Sequence, residues 1–107
     1  MTNREEFILH RISSTIKSKD PNAEVILFGS HARGTAHAES DWDILILLNQ
    51  LNFTKTTETE YRNRIYDVEL EVGEAISTFV YSKQIWETKY AVTPFYQNIK
   101  KEGIILK

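Results

Sequence analysis

Two apolar segments, separated by a small-residue turn and a pair of aspartates, constrain the fold of this chain more than any other feature. The segments, Val25–Phe28 and Ile44–Leu48, have the length and apolar character of buried β-strands. Gly29-Ser30 follows the first segment directly, and Asp41-Trp42-Asp43 leads into the second. The sequence therefore predicts a strand, a sharp turn and a second strand, over residues 42–48, whose entrance carries two carboxylates.

The two aspartates are expected to share one side of their strand. Side chains alternate along a strand, so Asp41 and Asp43 point one way and Trp42 the other, where it packs. Asp43 directly precedes five apolar residues, and a carboxylate at the mouth of a buried strand is costly unless something pairs with it. Mg²⁺ prefers oxygen ligands, so the aspartates are the predicted metal site and the flanking His31 and His37 are bystanders. The alternative is that both aspartates only cap a solvated strand entrance.

Gly29-Ser30 has the composition of a phosphate-binding turn. Gly29 has no Cβ to obstruct a close approach, and Ser30 adds a hydroxyl donor where a short helical turn is predicted to begin. Arg33, one helical turn later, could contact a phosphate or form a salt bridge with Asp41 or Glu39. No Gly-Lys-Ser/Thr follows, so the pattern is not a P-loop. A phosphate-binding turn facing two carboxylates suits a metal-bound nucleoside triphosphate, which makes nucleotidyl transfer the leading hypothesis.

The bulk composition narrows the substrate and the location. A net charge of -2 and a pI near 5.9 give no overall attraction to nucleic acid or anionic membranes, so a free nucleotide is favoured over a polynucleotide. The absence of cysteine excludes disulfides, thiol catalysis and zinc–thiolate sites. The N-terminus has no signal-peptide pattern, and no apolar run is long enough to span a bilayer. These features predict a cytoplasmic protein with a single domain over residues 1–107.

The remaining patterns predict helices around a small sheet. Thr2 with Glu5 forms a capping-box pattern before a first helix, and Thr57 with Glu60 repeats it before a longer one. The longer helix, which Gly73 is predicted to end, carries an apolar stripe at i, i+4, i+7 and i+11: Tyr61, Ile65, Val68 and Val72.

The C-terminal third completes the predicted α/β fold. A third strand is predicted over Ala75 to Tyr81, a short helix over Gln84 to Tyr90, and a last helix from Pro94 to a stop at Gly103. The order α-β-turn-β-α-β-α-α indicates helices packed on a three-stranded sheet. Aromatic and apolar residues of the C-terminal helices either complete the core or form a partner surface: Trp86, Tyr90, Phe95, Tyr96 and Ile99.

One combined motif resembles a known family. Gly29-Ser30, ten intervening residues and Asp41-x-Asp43 stand in a strand–turn–strand context, within the strings Gly-Ser-His-Ala-Arg-Gly and Ser-Asp-Trp-Asp-Ile-Leu. This pattern resembles the minimal nucleotidyltransferases of the DNA polymerase β superfamily. Its diagnostic part covers residues 25–48, and the helix and strand order extends the likeness to about Tyr81. The resemblance implies a small mixed, largely antiparallel sheet packed with helices, the polymerase β-like fold.

The resemblance also implies an activity and partners. By the resemblance, Gly29 and Ser30 would bind the triphosphate of a nucleotide, ATP above all, and Asp41 and Asp43 would hold Mg²⁺; Arg33 is the further candidate for nucleotide binding named above. The nucleotidyl group would pass to a hydroxyl of a protein or small molecule. Proteins that resemble this chain are often encoded with a small helical HEPN partner, to which they transfer AMP as antitoxins. The resemblance leaves a homo-oligomer open as a further assembly.

One position departs from the family pattern. Active members usually carry a third acidic residue near the start of the next strand, where this chain has Ser77. A serine hydroxyl cannot act as a base at neutral pH and binds Mg²⁺ less well than a carboxylate. Glu74 supplies a third metal ligand if the strand begins earlier; otherwise Glu69, Glu71 and Glu74 form an exposed acidic face. Two readings stay open: an active nucleotidyltransferase, or a catalytically degenerate member that binds nucleotide or a protein partner.

Overall fold

Nine helices and strands make up the structure, a computed structural model that describes residues 1–107. In chain order they are α1 Asn3–Lys19, β1 Glu24–Phe28, α2 Gly29–Arg33, β2 Trp42–Leu48, α3 Lys55–Val72, β3 Ile76–Ser82, α4 Lys83–Thr88, α5 Pro94–Glu102 and β4 Ile104–Leu106. The order follows the predicted one as far as α5, and one further strand follows it.

The sheet has four strands in the order β3-β2-β1-β4. β1 runs antiparallel to both β2 and β4, while β2 and β3 are parallel. The predicted mixed, largely antiparallel α/β sheet is therefore confirmed. The predicted number of three strands is wrong, because Ile104–Leu106 adds a short edge strand along β1. A run of three apolar residues is too short to predict a strand, and Ile104–Leu106 forms one only because it pairs with β1.

Helices cover both faces of the sheet. On one face, α1 and α3 build the main core with the alternate β2 residues, and the predicted α3 stripe is buried there: Tyr61, Ile65, Val68 and Val72. On the other face, α4 and α5 cover a smaller cluster: Phe28, Leu45, Leu47, Trp86 and Ile99. Phe79, Tyr81, Tyr90, Phe95 and Tyr96 pack against this cluster. Of the two roles predicted for the C-terminal aromatics, completion of the core is the one observed.

Helix capping agrees with the sequence at α1 and differs at α3. Thr2 and Glu5 form the predicted capping box. At α3 the cap is Thr54, whose hydroxyl accepts the Thr57 backbone N–H, so Thr57 is inside the helix. Both threonines have a favourable cap side chain, and the polar connection before α3 is compatible with either start. None of the helices combines the length and apolar character required to cross a membrane.

Candidate active site

The close approach of Gly29 and Asp43 forms the centre of the candidate site. Phe28, the last residue of β1, pairs with Asp43 near the start of β2, so the turn that leaves β1 lies beside this carboxylate. Gly29 has φ +75°, a left-handed conformation that favours glycine. A Cβ added at Gly29 would lie 2.1 Å from Asp43 Oδ2. Glycine is therefore required here twice, by the turn and by the carboxylate packed against it.

Asp41, Asp43 and Ser77 come together on one side of the sheet. Asp43 pairs with Ser77 across the parallel β2 and β3, and the Ser77 hydroxyl donates to Asp41 Oδ2 at 3.1 Å. Trp42 points to the opposite side, where it is 1% exposed within the main core. The alternation predicted for the Asp-Trp-Asp segment is thus observed, and the residue beside the two carboxylates is a serine.

The electrostatics of Asp43 reflect two negative charges held close together. Burial is the main cause that raises the pKa of Asp43 above its ordinary value, and the negative charge of Asp41 raises it further. His31 and Arg33 act in the opposite direction, and Glu102 adds a smaller upward contribution. Without a cation, the folded protein therefore opposes the ionisation of this carboxylate.

The raised pKa predicts a pH-dependent stability difference between the wild type and Asp43→Asn. The folded state binds the Asp43 proton more tightly than the unfolded state does, so the free energy of unfolding falls as pH rises from about 3.8 through the raised pKa. In metal-free buffer, Asp43→Asn is expected to melt at a higher temperature than the wild type at pH 7, because the amide removes the charge whose formation the folded state opposes. The difference should vanish near pH 3.5.

Melting curves between pH 3.5 and 7 in EDTA check this expectation. The matched control is Asp67→Asn, because Asp67 is exposed on α3 and has no partner near the site. A mutant-minus-wild-type difference that shrinks as pH rises would contradict the assigned electrostatics.

Arg33 is paired in a way that the sequence did not indicate. Its Nη1 donates to both carboxylate oxygens of Glu102, at 3.2 and 3.1 Å. Asp41 and Glu39, the partners in the salt-bridge alternative, do not bind it. Glu102 Oε1 also accepts the Gly29 backbone N–H at 3.3 Å. No local pattern could reveal this contact, because Glu102 reaches the turn only through the docking of α5.

The structure does not bring Glu74 to the aspartates. Glu74 Oε1 accepts the Trp42 indole N–H at 2.9 Å, and its Oε2 lies 3.1 Å from Arg4 Nη2, so both oxygens are engaged beyond the site. The alternative, in which Glu69, Glu71 and Glu74 form an exposed acidic face, describes these residues only in part, because they too have bonding partners. Glu69 accepts the Ile76 backbone N–H, and Glu71 binds Arg11.

His31 supports the site from the side of the main core. Its ring stacks on Trp42 with centroids 3.6 Å apart and an interplanar angle of 8°. Nε2 lies 3.2 Å from the Ser40 carbonyl oxygen, while the buried Nδ1 has no hydrogen-bond partner and lies 3.9 Å from Glu5 Oε2. The stack ties α2 to the strand that carries both aspartates, a role that the motif alone did not reveal.

The donor set around Asp43 has the chemistry of a divalent hard cation site. Asp41 and Asp43 supply carboxylate oxygens from one side of β2, and Ser77 supplies a hydroxyl. Burial, and after it the negative charge of Asp41, raises the pKa of Asp43, and a bound cation would favour the ionised form of this carboxylate. No group of three or more His, Cys, Asp or Glu side chains is arranged to hold a metal ion. The site therefore offers two carboxylates and leaves further ligands to water or substrate.

Comparison with known sequences gives a family and one relative. Residues 9–106 match the model of a family described as "Nucleotidyltransferase domain". The bifunctional uridylyltransferase/uridylyl-removing enzyme of Vibrio campbellii is 34% identical over 76 residues. That alignment covers 68% of this chain and 9% of the relative, so the chain corresponds to a small part of that enzyme.

Comparison with solved structures gives similar folds. The crystal structure of a toxin-antitoxin with AMP-PNP has a TM-score of 0.66 and 20% identity, with 92% of this chain and 72% of that chain covered. A mutant of the toxin-antitoxin MntA-HpeT has a TM-score of 0.65 and 18% identity over the same shares of the two chains. At these identities the likeness establishes the fold.

Proposed function

The chain belongs to the nucleotidyltransferase domain family, and from this premise we propose that it transfers a nucleotidyl group from a Mg²⁺-bound nucleoside triphosphate to a hydroxyl. The observation that carries the proposal is the convergence of Asp41 and Asp43 beside the Gly29 turn. A structural strand cap would need one carboxylate at most, and it would not require a glycine whose missing Cβ makes room for that carboxylate.

Each side chain has a part in the proposed reaction. Asp41 and Asp43 would hold Mg²⁺, which neutralises the charge that develops on the phosphates. The Gly29 turn, Ser30 and Arg33 would orient the triphosphate. The acceptor oxygen attacks the α-phosphorus as the bond to pyrophosphate breaks, and the acceptor proton is released to solvent. The contribution of the chain is therefore to position charge, because the β3 position beside Asp43 carries Ser77, whose hydroxyl cannot act as a base at neutral pH.

The nucleotide and acceptor proposed are ATP and a hydroxyl of a protein partner or small molecule. AMP-PNP accompanies one toxin-antitoxin structure of the same fold, and this supports an adenine nucleotide and a toxin partner. The Vibrio relative is named for uridylyl transfer, which makes UTP the competing nucleotide. The family resemblance favours a helical HEPN protein as the partner.

A degenerate, non-catalytic member is the second candidate, and Ser77 is the observation that favours it. Ser77 stands beside Asp43 in the sheet and donates to Asp41, at the place where active relatives usually have a third carboxylate. On this reading the protein binds nucleotide or a protein partner without turnover. Pyrophosphate release with any acceptor would exclude it.

A thermal-shift titration tests the proposed nucleotide site. Wild type, Asp43→Asn and the control Asp67→Asn are each titrated with ATP, GTP, CTP and UTP, with Mg²⁺ or with EDTA. A ligand that binds only the folded state at a hundred times its Kd stabilises it by about 2.7 kcal/mol. We expect a rise in Tm of about 10 °C or more with MgATP in the wild type and in Asp67→Asn.

The Asp43→Asn variant and the titrations in EDTA decide whether the nucleotide binds at the proposed metal site. The rise should be lost in Asp43→Asn and in EDTA. A shift that is largest with UTP would reassign the nucleotide and keep the site. No shift with any of the four nucleotides would contradict the proposed nucleotide binding and leave the protein partner as the ligand to seek.

A further inference from the structure

Glu102, the last residue of α5, occupies the donors of the turn. Its carboxylate accepts the Gly29 backbone N–H at 3.3 Å and the Arg33 guanidinium at 3.1 and 3.2 Å. The Glu102 side chain is only 21% exposed, whereas that of Arg33 is 50% exposed. A largely buried carboxylate thus binds the Gly29 N–H and the Arg33 guanidinium, which a phosphate at this turn would need.

The backbone beneath Glu102 is held firmly in place. Gly103 donates its N–H to the Ile99 carbonyl at 2.7 Å, and β4 then pairs with β1. A Cβ at Gly103 would lie 2.6 Å from the Ile99 oxygen and 2.9 Å from Ile26. Because the backbone on both sides of Glu102 is hydrogen-bonded or paired, movement of the Glu102 side chain is the smallest change that releases the turn.

The charge of Glu102 adds to the negative charge of Asp41 and Asp43. Glu102 lies close enough to Asp43 to contribute to its raised pKa, and Asp41 contributes as well. A carboxylate and a phosphate are both anions that accept charge-assisted hydrogen bonds from guanidinium and backbone N–H groups. Glu102 takes the Gly29 N–H and Nη1 of Arg33, so a phosphate can use these two donors only after Glu102 has left, and the like charges of the two groups repel each other.

We propose that Glu102 is an intramolecular competitor of the nucleotide: it holds the Gly29 N–H and Arg33 in the free protein and must leave when a triphosphate binds. The inference rests on the proposed function, because it names what occupies the phosphate donors of that site. Glu102 lowers nucleotide affinity and keeps Arg33 oriented toward the turn. Binding of the triphosphate frees Glu102 at the junction of α5 and β4.

The alternative is that Glu102 and Arg33 form a purely structural ion pair. In that case loss of the carboxylate charge weakens the tie between α5 and α2 and leaves Arg33 less well placed. Nucleotide affinity would then stay the same or fall. The two accounts thus predict opposite signs for one measurable quantity.

Calorimetric titration of Glu102→Gln against wild type separates the two accounts. The probes are MgATP and inorganic tripolyphosphate with Mg²⁺, the latter presenting the phosphates without the nucleoside. Removal of the competing charge is expected to lower the Kd for both probes about tenfold, equal to about 1.4 kcal/mol. The control is Glu71→Gln, which breaks another Arg–Glu pair, between α3 and α1. It should change neither Kd.

Further variants locate the effect at Arg33. In an Arg33→Gln background, the gain from Glu102→Gln should shrink to less than threefold, because one shared donor is gone. Melting curves of each variant confirm that it is folded, and Glu102→Ala repeats the test with the side chain shortened.

The possible results distinguish this inference from the proposed function. Wild-type binding with an unchanged or higher Kd in Glu102→Gln would overturn the competition and leave the nucleotide site standing. A gain with MgATP but not with Mg²⁺-bound tripolyphosphate would place the effect at the nucleoside and not at the phosphates, and would overturn it as well. Failure of both proteins to bind either probe would overturn the competition and the nucleotide site together.

Discussion

Asp41→Asn and Asp43→Asn are each expected to reduce nucleotidyl transfer by about a thousandfold or more while the protein stays folded. Removal of one preorganised hydrogen-bond donor from an oxyanion hole costs about 10²–10³ in rate. In the proposed site the same two carboxylates would also hold the metal, and the neighbouring β3 position carries Ser77 in place of a third carboxylate. Asparagine keeps the size of the side chain, so the packing of Asp43 against Gly29 is preserved.

Pyrophosphate release and transfer of a labelled nucleotidyl group to the acceptor measure the loss. Asp67→Asn removes the same charge from exposed α3 and should keep full activity. The stability measurement described above provides an internal check, because Asp43→Asn should be inactive yet at least as stable as the wild type at pH 7. Transfer that survives both substitutions would refute the assigned roles.

Gly29→Ala is expected to lower stability and to eliminate nucleotide binding. Its Cβ would lie 2.1 Å from Asp43 Oδ2, and the φ of +75° is unfavourable for any residue with a Cβ. The left-handed conformation alone costs about 1–2 kcal/mol, equal to a fall in Tm of about 5–10 °C in a domain of this size. The clash adds to this cost and pushes the Asp43 carboxylate away from Asp41.

Gly73→Ala is the matched control for this prediction. Gly73 has a similar φ of +72°, but an added Cβ would meet nothing within 4 Å. Gly73→Ala should therefore show the conformational cost alone and keep the full MgATP-dependent rise in Tm. Equal losses of Tm in the two variants, with nucleotide binding intact in both, would mean that the approach of Gly29 to Asp43 is unimportant.

The parts of the site that lie close together in sequence could be predicted, because strand periodicity determines them. Alternation along β2 placed Asp41 and Asp43 together and Trp42 in the core, and the turn explained Gly29. The family resemblance, and not the periodicity, indicated that Ser77 belongs to this site, and the register of β2 and β3 puts it beside Asp43.

The contacts that depend on tertiary docking could not be predicted. Glu102 meets Arg33 only because α5 packs on the sheet and β4 joins its edge, and neither event leaves a local pattern. The partner of Glu74 was missed for the same reason. Its carboxylate binds an indole that points to the opposite side of the strand from the aspartates.

The two tryptophans give each face of the sheet its own optical reporter. Trp42 is buried in the layer formed with α1 and α3, stacked on His31 and bonded to Glu74, so its emission is sensitive to the residues behind the aspartates. Trp86 is buried in the other layer among the aromatic residues of α4 and α5, the helices nearest to Glu102. The intrinsic fluorescence of the unlabelled chain therefore contains one contribution from each side of a single sheet.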